Sequence, residues 1–112
     1  MSKNILFESD QILLMKMGEH IEIARKRRNL RAVDIYEGAN ISKRTYQRIT
    51  QGYPGVSIGA IMSVLHTLSL EENILMLANP SNDEVGIAIS QRELKQRKRI
   101  VKDTTDDLDT NF

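Results

Sequence analysis

Within residues 43–49, KRTYQRI, five side chains of the kinds that recognise nucleic acid stand together: Lys43, Arg44, Thr45, Gln47 and Arg48. Arginine reads guanine in a bidentate manner, glutamine reads adenine, and Lys, Arg and Thr bind phosphate. Only Tyr46 and Ile49 interrupt them. These two are three apart, so on a helix they share the core side and leave the polar residues facing outward.

The surrounding segment, residues 32–52 (AVDIYEGANISKRTYQRITQG), reads as two short helices joined by a tight turn. Ile35 and Ala39 lie four apart on one face of the first helix. Asn40 follows where the chain must turn, and asparagine tolerates the left-handed conformation better than most residues. Ile41 then packs inward. Ser42 is a suitable N-cap for a helix over 43–51, its hydroxyl accepting a bond from a free N–H of the first turn. Gly52 ends that helix.

Charge and composition agree with a polyanion partner. The net charge of +1 averages segments of opposite sign. Residues 25–48 hold eight bases (Arg25, Lys26, Arg27, Arg28, Arg31, Lys43, Arg44, Arg48) against two acids, Asp34 and Glu37, a net of +6. Proximity to the turn favours phosphate contact for this run. A second basic run, RELKQRKRIVK, spans 92–102 and reads equally as a solvated helix face. An acidic run with Asp103, Asp106, Asp107 and Asp109 follows it.

A chain of 112 residues holds one small domain with a modest core. It has no cysteine, which excludes disulfides and thiolate metal sites and fits a reducing cytoplasm. No stretch approaches the roughly 20 apolar residues that span a bilayer, and the N-terminus lacks a signal-peptide run, so no membrane association is expected. His20 and His66 fall on separate expected helices without a neighbour at metal-ligand spacing. Gly52, Gly55 and Gly59 serve turns and helix entry rather than a phosphate loop. Neither an enzyme nor a metal or other cofactor is expected.

Elsewhere the pattern is helical. Asp10 or Ser9 caps a helix continuing to about residue 28, with Leu14, Met17, Ile21 and Ala24 as its apolar stripe and Asn29 closing it. Gly52-Tyr53-Pro54-Gly55 is a loop. Ser57 caps a helix carrying Ile58, Ile61, Met62, Leu65 and Leu68. Ser69 with Glu72, and Ser81 with Glu84, repeat the capping-box signature ahead of a fifth short helix and a sixth. The inner side of the sixth would be Val85, Ala88 and Ile89. The fold class is all-α.

On these residues the chain resembles the lambda-repressor-like, xenobiotic-response-element family of helix-turn-helix regulators over about residues 13–78. The marks are ARKRRNL, the inward Ile35, Asn40-Ile41-Ser42, the outward 43–48 face and the closing Gly52. The string QGYPGVSIGAIMSVLHTLSL followed by LANPSNDEVGIAI is similar to small HipB-like antitoxins. Three positions depart from the family pattern. Arg31-Ala32 stands where a glutamine anchors phosphate, passing that role to Arg31 or Arg28. Tyr36 replaces a small residue and must splay outward or widen the helix crossing. Thr50 replaces the glutamate partner of Arg25, leaving Arg25 freer to meet DNA or solvent.

The resemblance implies a compact five-helix DNA-binding domain over 11–79, preceded by an arm (1–10) and followed by a C-terminal helix (80–99) and a polar, disordered tail (100–112). The expected function is a sequence-specific repressor whose helix 43–51 enters the major groove. Lys43, Arg44, Thr45 and Gln47 would contact bases, and Arg28, Arg31, Ser42, Arg48 and Tyr53 the backbone. A homodimer on a palindromic double-stranded operator is expected, joined through Ile74, Leu77, Val85, Ile87 and Ile89. The alternative is an antitoxin that silences a HipA-like kinase, its tail ordering on that partner and its DNA binding serving autoregulation. RNA binding lacks the exposed stacking aromatics it needs.

Overall fold

The structure is a computed structural model that describes residues 6–103; the tail from 104 and the start of the arm, 1–5, lie outside the described residues. It is all-helical, with no strand among the described residues. The elements are α1 (Glu8–Arg27), α2 (Ala32–Gly38), α3 (Lys43–Thr50), α4 (Ile58–Thr67), 3-10 turns at Glu71–Met76 and Pro80–Asn82, and α5 (Glu84–Asp103). The chain divides into two units, the first running to Ile74 and the second beginning at Leu75.

Four helices of the first unit end in the same way. Asn29, Asn40, Gly52 and Ser69 adopt left-handed φ values of 55°, 56°, 78° and 61°. Beyond each, an apolar or aromatic residue donates its N–H five residues back: Leu30 to Arg25, Ile41 to Tyr36, Tyr53 to Arg48 and Leu70 to Leu65, at 3.3, 3.0, 2.8 and 2.7 Å. This closure satisfies the orphan carbonyls of the last turn and turns an apolar side chain back on the helix. Ser69 therefore terminates α4. It cannot cap a following α-helix as its sequence signature suggests, because an N-cap needs extended backbone. The expected fifth α-helix is the 3-10 turn Glu71–Met76.

The starts of the helices follow side-chain chemistry less uniformly. Ser42 Oγ accepts from the N–H of Thr45 at 3.0 Å and Ser57 Oγ from that of Ala60 at 3.1 Å. Ser9 and Asp10 fall inside the first turn of α1, whose N-cap is Phe7 with no side-chain bond. Acids in that first turn and Arg25, Lys26 and Arg27 in the last complement the helix dipole. Ser81 does not cap α5: Asp83 does, its Oδ1 accepting from Gly86 N–H at 3.0 Å, while the Ser81 N–H is held by Asn79 Oδ1.

The core of the first unit joins Ile21 and Ala24 of α1, Ile35 and Ala39 of α2, Tyr46 and Ile49 of α3, and Val64 and Leu68 at α4. Beside the core stripe of α1 runs a second one, Gln11, Met15, Gly18 and Glu22, which seats α3 and its C-terminal turn. Gln11 Nε2 donates to the Gly52 carbonyl at 2.7 Å. A Cβ on Gly52 would come within 2.6 Å of the Met15 nitrogen, and one on Gly18 would overlap the Thr50 carbonyl oxygen. The two helices meet backbone to backbone.

Gly18→Ala should therefore destabilise the fold by about 1–3 kcal/mol or more, since backbone cannot yield as a side chain would. Gly59→Ala, whose Cβ would meet only Ser57 Oγ at 3.9 Å, should stabilise it by about 0.4–1 kcal/mol. Urea midpoints of the two variants that shift in the same direction would contradict this packing.

Candidate nucleic-acid interface

α3 has only eight residues, too few to persist alone, and its rigidity comes from what it rests on. Tyr46 and Ile49 are buried beneath it. At the opposite side the helical period brings Lys43, Gln47 and Gln51, spaced i, i+4, i+8, onto one face with Arg44 beside them, all exposed. The Tyr46 hydroxyl donates to Glu22 Oε2 at 2.5 Å, fixing the start of α3 against α1.

Glu22 also binds Arg25, whose Nε and Nη2 donate to its two oxygens at 2.9 and 3.0 Å; Arg25 Nη1 reaches the Leu30 carbonyl at 2.7 Å. The Arg25 side chain is only 15% exposed. The expectation that Arg25 is free to meet DNA is corrected: Glu22, one turn earlier on the same face, substitutes for a partner on α3. Hydrogen bonds from Arg25, then from Tyr46, hold the Glu22 carboxyl below its ordinary value despite partial burial. Burial, and next the Glu22 carboxylate, push the Tyr46 hydroxyl well above the usual phenol range. The trio is thus an ionised carboxylate between two donors.

The remaining expected contacts are distributed unevenly. Thr45 is half-buried, and its N–H and hydroxyl are both engaged with Ser42, the serine hydroxyl donating to Thr45 Oγ1 at 2.9 Å. Arg48 lies over the Tyr53 ring, 5.1 Å from its centre, so the two form one cation–π unit at the end of α3. Arg28 is exposed and donates to the Ala24 carbonyl at 2.9 Å. Arg31 is 79% exposed but paired with Asp34 at 3.0 Å, and its guanidinium keeps the Asp34 carboxyl below the ordinary range. Tyr36 is half-buried, its ring tilted against Tyr46 with centres 6.3 Å apart.

Two of the eight bases between residues 25 and 48 are therefore held by carboxylates. Lys26, Arg27, Arg28, Lys43, Arg44 and Arg48 form no ion pair with a carboxylate among the described residues, although the Lys26 charge still acts on Glu22. Of the residues expected to associate, Ile74 is half-buried in the first unit, while Leu77, Val85, Ile87 and Ile89 of the second are exposed. Among the described residues no group of three or more His, Cys, Asp or Glu side chains is placed to hold a metal, and no helix is long and apolar enough to cross a membrane.

No family model, curated protein or solved structure matches the chain. The geometry adds residues that the sequence pattern does not single out. Gln51 shares the Lys43 face, whereas by sequence it marks only a helix end. Gly18 and Glu22 position α3, and the one signal for them in the sequence is an unexplained glycine inside a helical pattern.

Tyr46→Phe, which removes a bond to an ionised carboxylate without changing shape, should cost about 1.5–3 kcal/mol. The lowered Glu22 pKa means that its contribution is complete above the ordinary glutamate value of 4.5 and disappears as pH falls through the folded value. Urea titrations of wild type and Glu22→Gln should accordingly differ most at pH 7, the gap narrowing as pH falls below 4.5. A constant gap would assign the effect to packing.

Proposed function

We propose that the chain is a sequence-specific DNA-binding repressor of the lambda-repressor-like helix-turn-helix type, acting in the cytoplasm. The observation that carries the reading is the exposed Lys43–Arg44–Gln47–Gln51 face on a helix whose opposite side is buried and bonded to α1. A rigid helix presenting Arg and Gln suits bidentate reading of base edges in the major groove. The basic side chains that flank it without a carboxylate partner, with Arg48 against Tyr53, suit phosphate contact.

One such face covers a short run of base pairs, and a two-fold operator read by two copies is the arrangement that reaches useful specificity. Half-sites would then lie about 34–36 Å apart or at a multiple of that spacing. The exposed Leu75, Met76, Leu77, Val85, Ile87 and Ile89 of the second unit supply apolar surface for joining the copies.

The test is a salt-controlled binding titration against the chain's own upstream DNA and random duplex. Wild type should prefer the upstream DNA, and Arg44→Ala should cost about 1–3 kcal/mol there with little loss on random duplex. Equal, weak binding to both duplexes by wild type would refute sequence-specific repression and move the weight to capture of a protein partner.

A further inference from the structure

The second basic run of the sequence lies on α5 and has no role in the reading above. Arg92, Lys95 and Arg99 are spaced i, i+3, i+7, which aligns them on one face over about 10 Å of helix, with Lys98 at its edge. All four are exposed. None has a hydrogen bond or ion pair among the described residues. The one acid among residues 85–99, Glu93, sits roughly 100° around the helix from Arg92, and the next acid along α5 is Asp103, four residues beyond Arg99 at the helix end. A solvated helix face ordinarily alternates sign, whereas this one places like charges at i, i+3 and i, i+4, an arrangement that destabilises the helix until an anion neutralises it.

The composition of the helix narrows the anion. Leu94 is the one apolar residue between 90 and 99, so the charged stretch itself offers little to a lipid interface, and the apolar Val85, Ile87 and Ile89 lie at the other end of α5. α5 carries no aromatic residue on which unpaired bases would stack. What remains is a regular, closely spaced line of charge, and a duplex presents about one phosphate per roughly 1.7 Å of axis.

We propose that the Arg92–Lys95–Arg99 face of α5 is a second, sequence-independent contact to the phosphate backbone of duplex DNA. It rests on the DNA-binding reading for the identity of the polyanion and extends the contact beyond α3. The face would contribute to affinity and salt dependence and nothing to base preference.

The test compares the full-length chain with Arg92→Gln/Lys95→Gln/Arg99→Gln, whose helicity is checked by circular dichroism, on upstream and random duplexes across a salt series. Each phosphate no longer neutralised should lower the slope of log affinity against log salt by about 0.9, so the triple variant should flatten it by about 2–3. Affinity should fall by the same factor on both duplexes. The charge-preserving Arg92→Lys/Lys95→Arg/Arg99→Lys should restore the slope. A slope unchanged in the Gln variant overturns the proposal, and failure of that variant to bind phosphatidylserine vesicles that wild type binds would reassign the face to lipid. A Lys43→Ala/Arg44→Ala variant separates the two readings. If it abolishes preference while the α5 variant changes nothing, only this inference falls. If wild type shows no preference yet the α5 variant flattens the slope, α5 stands and the base-reading role of α3 falls.

Discussion

The first unit depends on the close antiparallel seating of α3 against α1. Gln11, Met15, Gly18 and Glu22, spaced four, three and four along α1, meet Gly52, Thr50 and Tyr46 in reverse order. The middle of this contact has no side chain between the backbones, so α3 has no room to slide or roll. An eight-residue helix acquires in this way the stiffness that its own hydrogen bonds do not supply. Its outward side chains then project from a fixed base, which any reader of base edges requires.

Electrostatics sorts the basic residues into two groups. Glu22 and Asp34 each hold an arginine at i, i±3, and these pairs serve the architecture: the first links α1 to Tyr46 and to the Leu30 carbonyl, the second closes the start of α2. The other bases of the region form no ion pair with a carboxylate among the described residues; Arg48 stacks on Tyr53, Arg28 bonds the Ala24 carbonyl, and Lys43 and Arg44 are exposed. A region that counts as net +6 therefore keeps its effective positive charge mainly on α3 and the end of α1. The Arg48–Tyr53 stack adds a fixed cation where α3 gives way to its loop.

Much of the local structure is legible in residue chemistry. Ser42 and Ser57 begin helices because their hydroxyls accept first-turn N–H groups. Asn29, Asn40 and Gly52 end helices because they tolerate positive φ. Of the α1 stripe, Ile21 and Ala24 are buried in the core as the period predicts, while Leu14 and Met17 are half-buried. Ser69 and Ser81 mislead because the same hydroxyl suits a cap and a turn, and the choice falls to the backbone around it. Ser69 follows Leu68, buried at the end of α4, and takes the left-handed closure that also brings Leu70 back against the core.

The sequence by itself determined the all-helical class, most helix boundaries, and the polar outward face within residues 43–48, because these follow from period and capping within a few residues of each other. Only the tertiary structure decided that Gly18 is the crossing point, that Glu22, beside Arg25 on its own helix, also holds Tyr46, and that Gln11 meets Gly52. The physical reason is separation along the chain. Glu22 and Tyr46 are 24 positions apart, and Gln11 and Gly52 are 41 apart, so their pairing depends on how whole helices pack rather than on any local preference.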